Sequence, residues 1–162
     1  MTVTLTSAGS SVPNWQLIST NSPSAVTTVT FSSLAGYSKY RILMQNIVAI
    51  SGTTTITLNG DTSAHYSVSR VTGGGTSPSV SVNGTGISTL ASDVNPACDL
   101  LIDNALILTP KAITGWITEG TTTGSMLFNL NAVYQTTSAL TSITITRSAN
   151  FTSGSIYLLG AN

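Results

Sequence analysis

Charge is scarce in this chain of 162 residues: five Lys and Arg against five Asp and Glu, 6% in all, where an average soluble domain carries about 25%. The formal net charge of zero leaves no long-range field to draw in nucleic acid or an anionic membrane, so neither is expected as a partner. Thiols are scarcer still. A single Cys98 can close no internal disulfide and supplies no paired spacing for a zinc ribbon or a redox couple. One histidine, His65, is too few for a histidine-built metal centre, and the acids are too scattered for the paired carboxylates of a glycan-cleaving enzyme. Long apolar runs are missing as well. Nothing approaches the roughly 18 consecutive apolar residues of a spanning helix, and the opening "MTVTLTSAGS" is not a basic stretch followed by an apolar one, so a secretion signal is not expected. The patterns GxSxG, HExxH and GxxxxGK[ST] do not occur, and a non-enzymatic protein without cofactor or metal is expected.

What the chain has in their place is hydroxyl groups. Ser and Thr make up roughly a third of it, and β-branched Thr suits a pleated, half-wet surface better than a helix interior. A weakly charged, hydroxyl-coated protein also resists self-association poorly, which favours life inside an assembly.

Apolar and polar residues alternate with period two from end to end, between clusters of Gly, Pro, Asn and Ser, the pattern of half-buried strands. In "TTTITLNG" Ile56 and Leu58 share a face opposite Thr55 and Thr57, and in "SITITR" Ile143 and Ile145 oppose Thr144 and Thr146. In "YSKYRILMQN" Tyr40, Ile42 and Met44 oppose Lys39, Arg41 and Gln45. The row Met126, Phe128, Leu130, Ala132, Tyr134 in "SMLFNLNAVYQ" reads as a strand near the middle of a sheet, with Asn129 and Asn131 facing away. Further strands are expected near "WQLIST", "AVTTVTFSS", "HYSVSR", "PSVSV", "ACDLLIDNALILT", "AITGWIT" and "GSIYLLG". About ten to twelve short strands in one domain over residues 1–162 point to an antiparallel β-sandwich, jelly-roll-like, with a barrel as the competing arrangement. The Gly/Ser-rich passage around residues 72–95 reads as loops or a short hairpin.

The segment "LNGDTSAHYS" concentrates the polar candidates. A strand ends at Leu58, Asn59-Gly60 supplies the positive backbone angles of a tight hairpin turn, and Asp61 caps it. His65 then opens the next strand without a visible nucleophile or further ligands, so it reads as a polar strand residue. Cys98, in phase with Leu100 and Ile102, reads as a small buried hydrophobe. Asp99 and Asp103 lie on the opposite face, and with Asp93 they raise the idea of a Ca²⁺ site, which no EF-hand spacing supports. Trp15, Trp116 and the five tyrosines are spread along the chain, and are expected to fill a core or an interface rather than a sugar-binding platform.

Two stretches carry a family resemblance: Asn59-Gly60-Asp61 followed by Tyr66-Ser67, and the closing "FTSGSIYLLG" from Phe151 to Gly160. Together with "WQLIST…AVTTVTFSSL", these resemble small bacteriophage virion structural proteins over nearly the whole chain, from Trp15 to Gly160. The resemblance implies a capsid decoration or cement protein on the exterior of the particle, made in the host cytoplasm. Its alternative is a tail or fibre component with a receptor- or glycan-binding module. The partners implied are further copies of the chain, a trimer being expected, and other virion proteins such as the major capsid or tail proteins, with a host glycan possible. His65 before Tyr66 and the long Gly/Ser passage after Arg70 depart from the family pattern.

Overall fold

The computed structural model describes residues 13–50, 52–72, 79–88, 94–121 and 124–162. Among the described residues there are eleven strands and no helix: β1 (Gln16–Asn21), β2 (Val26–Phe31), β3 (Lys39–Ala49), β4 (Thr54–Leu58), β5 (Tyr66–Thr72), β6 (Ser79–Gly84), β7 (Ile87–Ser88), β8 (Val94–Ile102), β9 (Lys111–Thr121), β10 (Gly124–Tyr134) and β11 (Ile143–Ala161). All pairings are antiparallel. The expected all-β antiparallel class is therefore the class observed, and its form is sandwich-like.

The long β11 organises the topology. Its first part, Ile143–Arg147, lies between β2 and β4, and its second, up to Ala161, lies between β1 and β3. From β3 the sheet continues through β8, β9, β10 and β5 to β6, and from β4 to β7. Because β6 runs within two residues into β7, the chain itself nearly closes the ring. The ribbon turns a corner at one level. There β11 shifts register between Phe151 and Ser155 against β3, Asn46 of β3 takes φ 53°, and Ala25, between β1 and β2, takes φ 55°. Bulges and positive φ at matching heights let neighbouring strands pass together from one layer to the next.

The inward rows meet in one core. Tyr40, Ile42 and Met44 of β3, Cys98, Leu100 and Ile102 of β8, Leu130, Ala132 and Tyr134 of β10, and Ile143 and Ile145 of β11 all belong to it, with Ile56 and Leu58 of β4. This is the alternation expected of "TTTITLNG", "SITITR", "YSKYRILMQN" and "SMLFNLNAVYQ". The side chain of Met126 lies outside the described residues.

Three expectations need correction. The two stretches "SITITR" and "GSIYLLG" belong to the single bent strand β11. β4 and β5, joined by the Asn59-Gly60 turn, do not pair with each other: β4 pairs with β11 and β7, and β5 with β10 and β6. Finally, "ACDLLIDNALILT" is strand only to Ile102. Beyond it Asn104 takes φ 63°, and the buried Lys111 ammonium donates to the carbonyls of Ile107 (2.7 Å) and Thr109 (2.5 Å). Burial without a counter-charge lowers the Lys111 pKa. Those carbonyl bonds hold the loop in a form that leaves Leu106, Ile107 and Leu108 exposed. Within the Gly/Ser passage β6 and β7 are strands, while residues 73–78 and 89–93 lie outside the described residues.

Candidate functional site

The Asn59-Gly60 turn has φ 55° and 65°, and the Asp61 amide donates to the Leu58 carbonyl at 3.0 Å, as a two-residue turn with both central residues left-handed requires. Asn59 does more than turn the chain. Its Oδ1 accepts from the Thr141 amide (2.7 Å), the Thr141 hydroxyl (3.1 Å) and the Ser142 amide (3.3 Å), and its Nδ2 donates to the Ala139 carbonyl (3.0 Å). The side chain thus clamps the segment entering β11.

Asp61 collects donors from three directions. Its Oδ1 accepts from the Ser63 amide (2.8 Å), and its Oδ2 pairs with His65 Nδ1 (2.6 Å) and accepts from the Tyr134 hydroxyl (3.0 Å). Buried Tyr66 stacks on Tyr134 with ring centroids 4.8 Å apart. Its hydroxyl accepts from the Leu58 amide (2.8 Å) and donates to the Asp61 carbonyl (3.2 Å). Burial raises the pKa of both phenols. His65 was expected to have no partner; it has one in Asp61, four residues back, because the turn folds the chain over itself. The result is a polar knot that ties the β4–β5 connection to β10.

The bond from His65, followed by the Ser63 amide, holds the Asp61 carboxyl at about 2. A carboxyl depressed below its unfolded value, near 4, adds stability that is present above that value and is lost as pH falls through the folded pKa. In urea melts between pH 4.5 and 2 (about this window), wild type should therefore lose more stability than Asp61→Asn, which has no carboxyl here to protonate. Equal losses would show that Asp61 is not the group responsible. At neutral pH His65→Ala should cost no more than about 0.5 kcal/mol, since the imidazole is half exposed.

A second constellation lies on the outer face of the sheet, where β3 up to Gln45, β8 and β10 present odd-numbered residues and β9 presents its even-numbered ones. Arg41 grips Asp99 with two bonds, Nε to Oδ1 at 2.7 Å and Nη2 to Oδ2 at 2.5 Å, and Lys39 pairs with Asp103 at 3.1 Å. The two aspartates placed together by the sequence are thus each spent on a cation, and Asp93 lies outside the described residues. Among the described residues no three His, Cys, Asp or Glu side chains gather as metal ligands. Cys98, buried as expected, has its thiol pushed up to about 12 by desolvation. Asp99 stands opposite Trp116 in the ladder, and Trp116 opposite Asn129. The 13–15 segment ahead of β1 brings Trp15 to the same place, so that Pro13, Trp15, Arg41, Asp99, Leu101, Thr114 and Trp116 line one open groove of about 430 Å³. The tryptophans, 101 residues apart and read as dispersed, are brought together by the packing; no local signal in the sequence marks the pair. No family model matches this chain, and neither a curated protein nor a solved structure is similar to it.

Proposed function

We propose that this protein is a non-enzymatic structural component of a bacteriophage particle, mounted on the exterior as a homo-oligomer, a trimer, against the major capsid or tail protein. The observation that carries the reading is the character of the sheet edges. Among the described residues β1 and β2 pair only with β11, and β6 only with β5. These three strands, "QLISTN", "VTTVTF" and "SVSVNG", contain no charged residue. They expose Leu17 (61%), Val80 (64%) and Val82 (66%).

Soluble monomers blunt such edges with Lys, Pro or a covering segment, because an unpaired strand invites another chain. Four of the five Lys and Arg are used elsewhere, Lys39 and Arg41 in ion pairs, Lys111 and Arg147 in the interior, and the fifth, Arg70, lies on β5 rather than on an edge strand. Closed symmetry covers edges while leaving hydroxyl-rich faces wet. The turn and the C-terminal strand that carry the resemblance to phage virion proteins support the same reading.

Two measurements test it. Light scattering at tens of micromolar should find an oligomer, and Val82→Lys, which places a charge on the β6 edge, should shift it towards monomer. Sedimentation with washed, emptied particles should carry the protein into the pellet. A wild-type monomer at that concentration would remove the argument from edges, and failure to bind any particle fraction would remove the virion assignment.

A further inference from the structure

We infer that the groove between Trp15 and Trp116 binds a neutral oligosaccharide, with a sugar ring stacked on the indoles and its hydroxyls paired to Arg41, Asp99 and Thr114. Attachment to a particle is not needed for this.

The chain has two tryptophans in all, and both line this one groove. An indole stabilises a fold most when buried in a core. Trp116 instead stands on the outer face of β9 with 36% of its surface exposed, among the hydroxyls and amides of Thr114, Thr118 and Asn129. The groove volume falls within the roughly 300–1,000 Å³ of small-molecule sites.

The polar groups decide what kind of molecule fits. Arg41 and Asp99 neutralise each other through two bonds, so the groove offers neither a free cation for a phosphate nor a free carboxylate for an ammonium group. The pair still has capacity at its rim. Guanidinium carries five N–H donors and carboxylate about four acceptor positions, and the two bonds between them use only part of each. Flat apolar faces beside fixed donors and acceptors, with no net charge, match a ring whose faces are C–H and whose edge is hydroxyl. Such a ring exchanges its bonds to water for bonds to a fixed ion pair and buries its C–H face on indole.

The site is also open at one end. A second trough, of about 390 Å³ and lined by Ser67, Ser69, Val80, Asn131 and Val133, shares Thr114 with the first. In the ladder Thr114, Asn131, Ser69 and Val80 follow one another across β9, β10, β5 and β6. A short chain of sugars therefore has a second, largely apolar trough beyond the indoles, edged by the hydroxyls of Ser67, Ser69 and Thr114 and the amide of Asn131, which a single ring would not use.

Because both tryptophans line the groove, the intrinsic emission of the protein reports on its occupancy. The full chain would be titrated with neutral oligosaccharides of glucose, galactose, mannose and N-acetylglucosamine, and separately with choline chloride and inorganic phosphate. At least one saccharide series should give a saturable change at millimolar concentration or below, with longer members binding more tightly. By calorimetry, Trp116→Ala should weaken that binding at least about tenfold, as loss of a central aromatic anchor does, and Trp116→Tyr should restore most of it. Trp15→Ala, which lies outside any paired strand, should also weaken binding while leaving the melting temperature unchanged, and so serves if Trp116→Ala folds poorly. Saturation by choline or phosphate alone, no response to any saccharide, or undiminished binding in both alanine variants would overturn the inference.

Discussion

Gly115→Ala should be among the most damaging single substitutions in this protein, with a loss on the order of 3–5 kcal/mol. Gly115 lies within β9 at φ 149°, and a Cβ built there would stand 2.0 Å from the Asp99 carbonyl oxygen and 3.0 Å from the Asp99 carbonyl carbon and the Leu100 Cα. These are backbone atoms of the paired strand, so no side chain can swing aside. To admit a methyl group, β8 and β9 must separate along a ladder running from Val94↔Gly120 to Ile102↔Ile113. Leu100, Ile102, Ile113 and Ile117 would then lose their close packing. The separation also moves Asp99 away from Trp116. Thermal unfolding should fall by about 10 °C or more, with tryptophan emission altered below the transition. A variant that melts with wild type would mean that the two strands do not approach as described.

Asn59→Ala is the second substitution expected to cost heavily, on the order of 4 kcal/mol. Two contributions add. Alanine at φ 55° meets the steric cost of the left-handed region, roughly 1 kcal/mol. Truncation also removes the acceptor of the Thr141 and Ser142 amides and the donor to the Ala139 carbonyl, at about 1 kcal/mol per bond and more where the orphaned group is buried. Asn59→Gly separates the two, since glycine adopts the turn freely yet has no amide. In urea melts it should fall between wild type and Asn59→Ala. Wild-type stability for Asn59→Gly would show that the amide clamp contributes nothing, and that the turn alone explains the residue.

Asn59 also marks how far the sequence could be read. Its backbone role follows from two adjacent residues, because Asn-Gly tolerates a conformation that other pairs resist. Its side-chain role depends on residues 80 and more positions away, which arrive only because β4 pairs with the start of β11. The same divide runs through the candidate groove. That Trp116 faces away from Ile113 and Ile117 is visible in the alternation of "AITGWIT". That it shares a groove with Trp15 is not, since Trp15 precedes β1, and β1 reaches the groove by pairing on the far side of β11. Likewise the outward phase of Lys39, Arg41, Asp99 and Asp103 could be read from each strand alone, whereas their matching as ion pairs required β3 and β8 to be neighbours. The absent hairpin between β4 and β5 has this cause too: a turn directs the chain locally, but which strands bond is settled by which inward rows pack best together.

By itself, then, the sequence determined that this is an antiparallel β protein, which side chains face inward, and where the left-handed turn lies. Each of these depends on alternation or on the conformational range of one or two residues, and such preferences act within a few residues of chain. Only the tertiary structure decided that two segments merge into the bent β11, that His65 meets Asp61, that the aspartates are spent on Arg41 and Lys39, and that two distant tryptophans line one groove. Those outcomes belong to non-local pairing. Strands of nearly uniform Thr, Ser, Val and Ile composition have many acceptable neighbours, and the packing of the whole core selects among them.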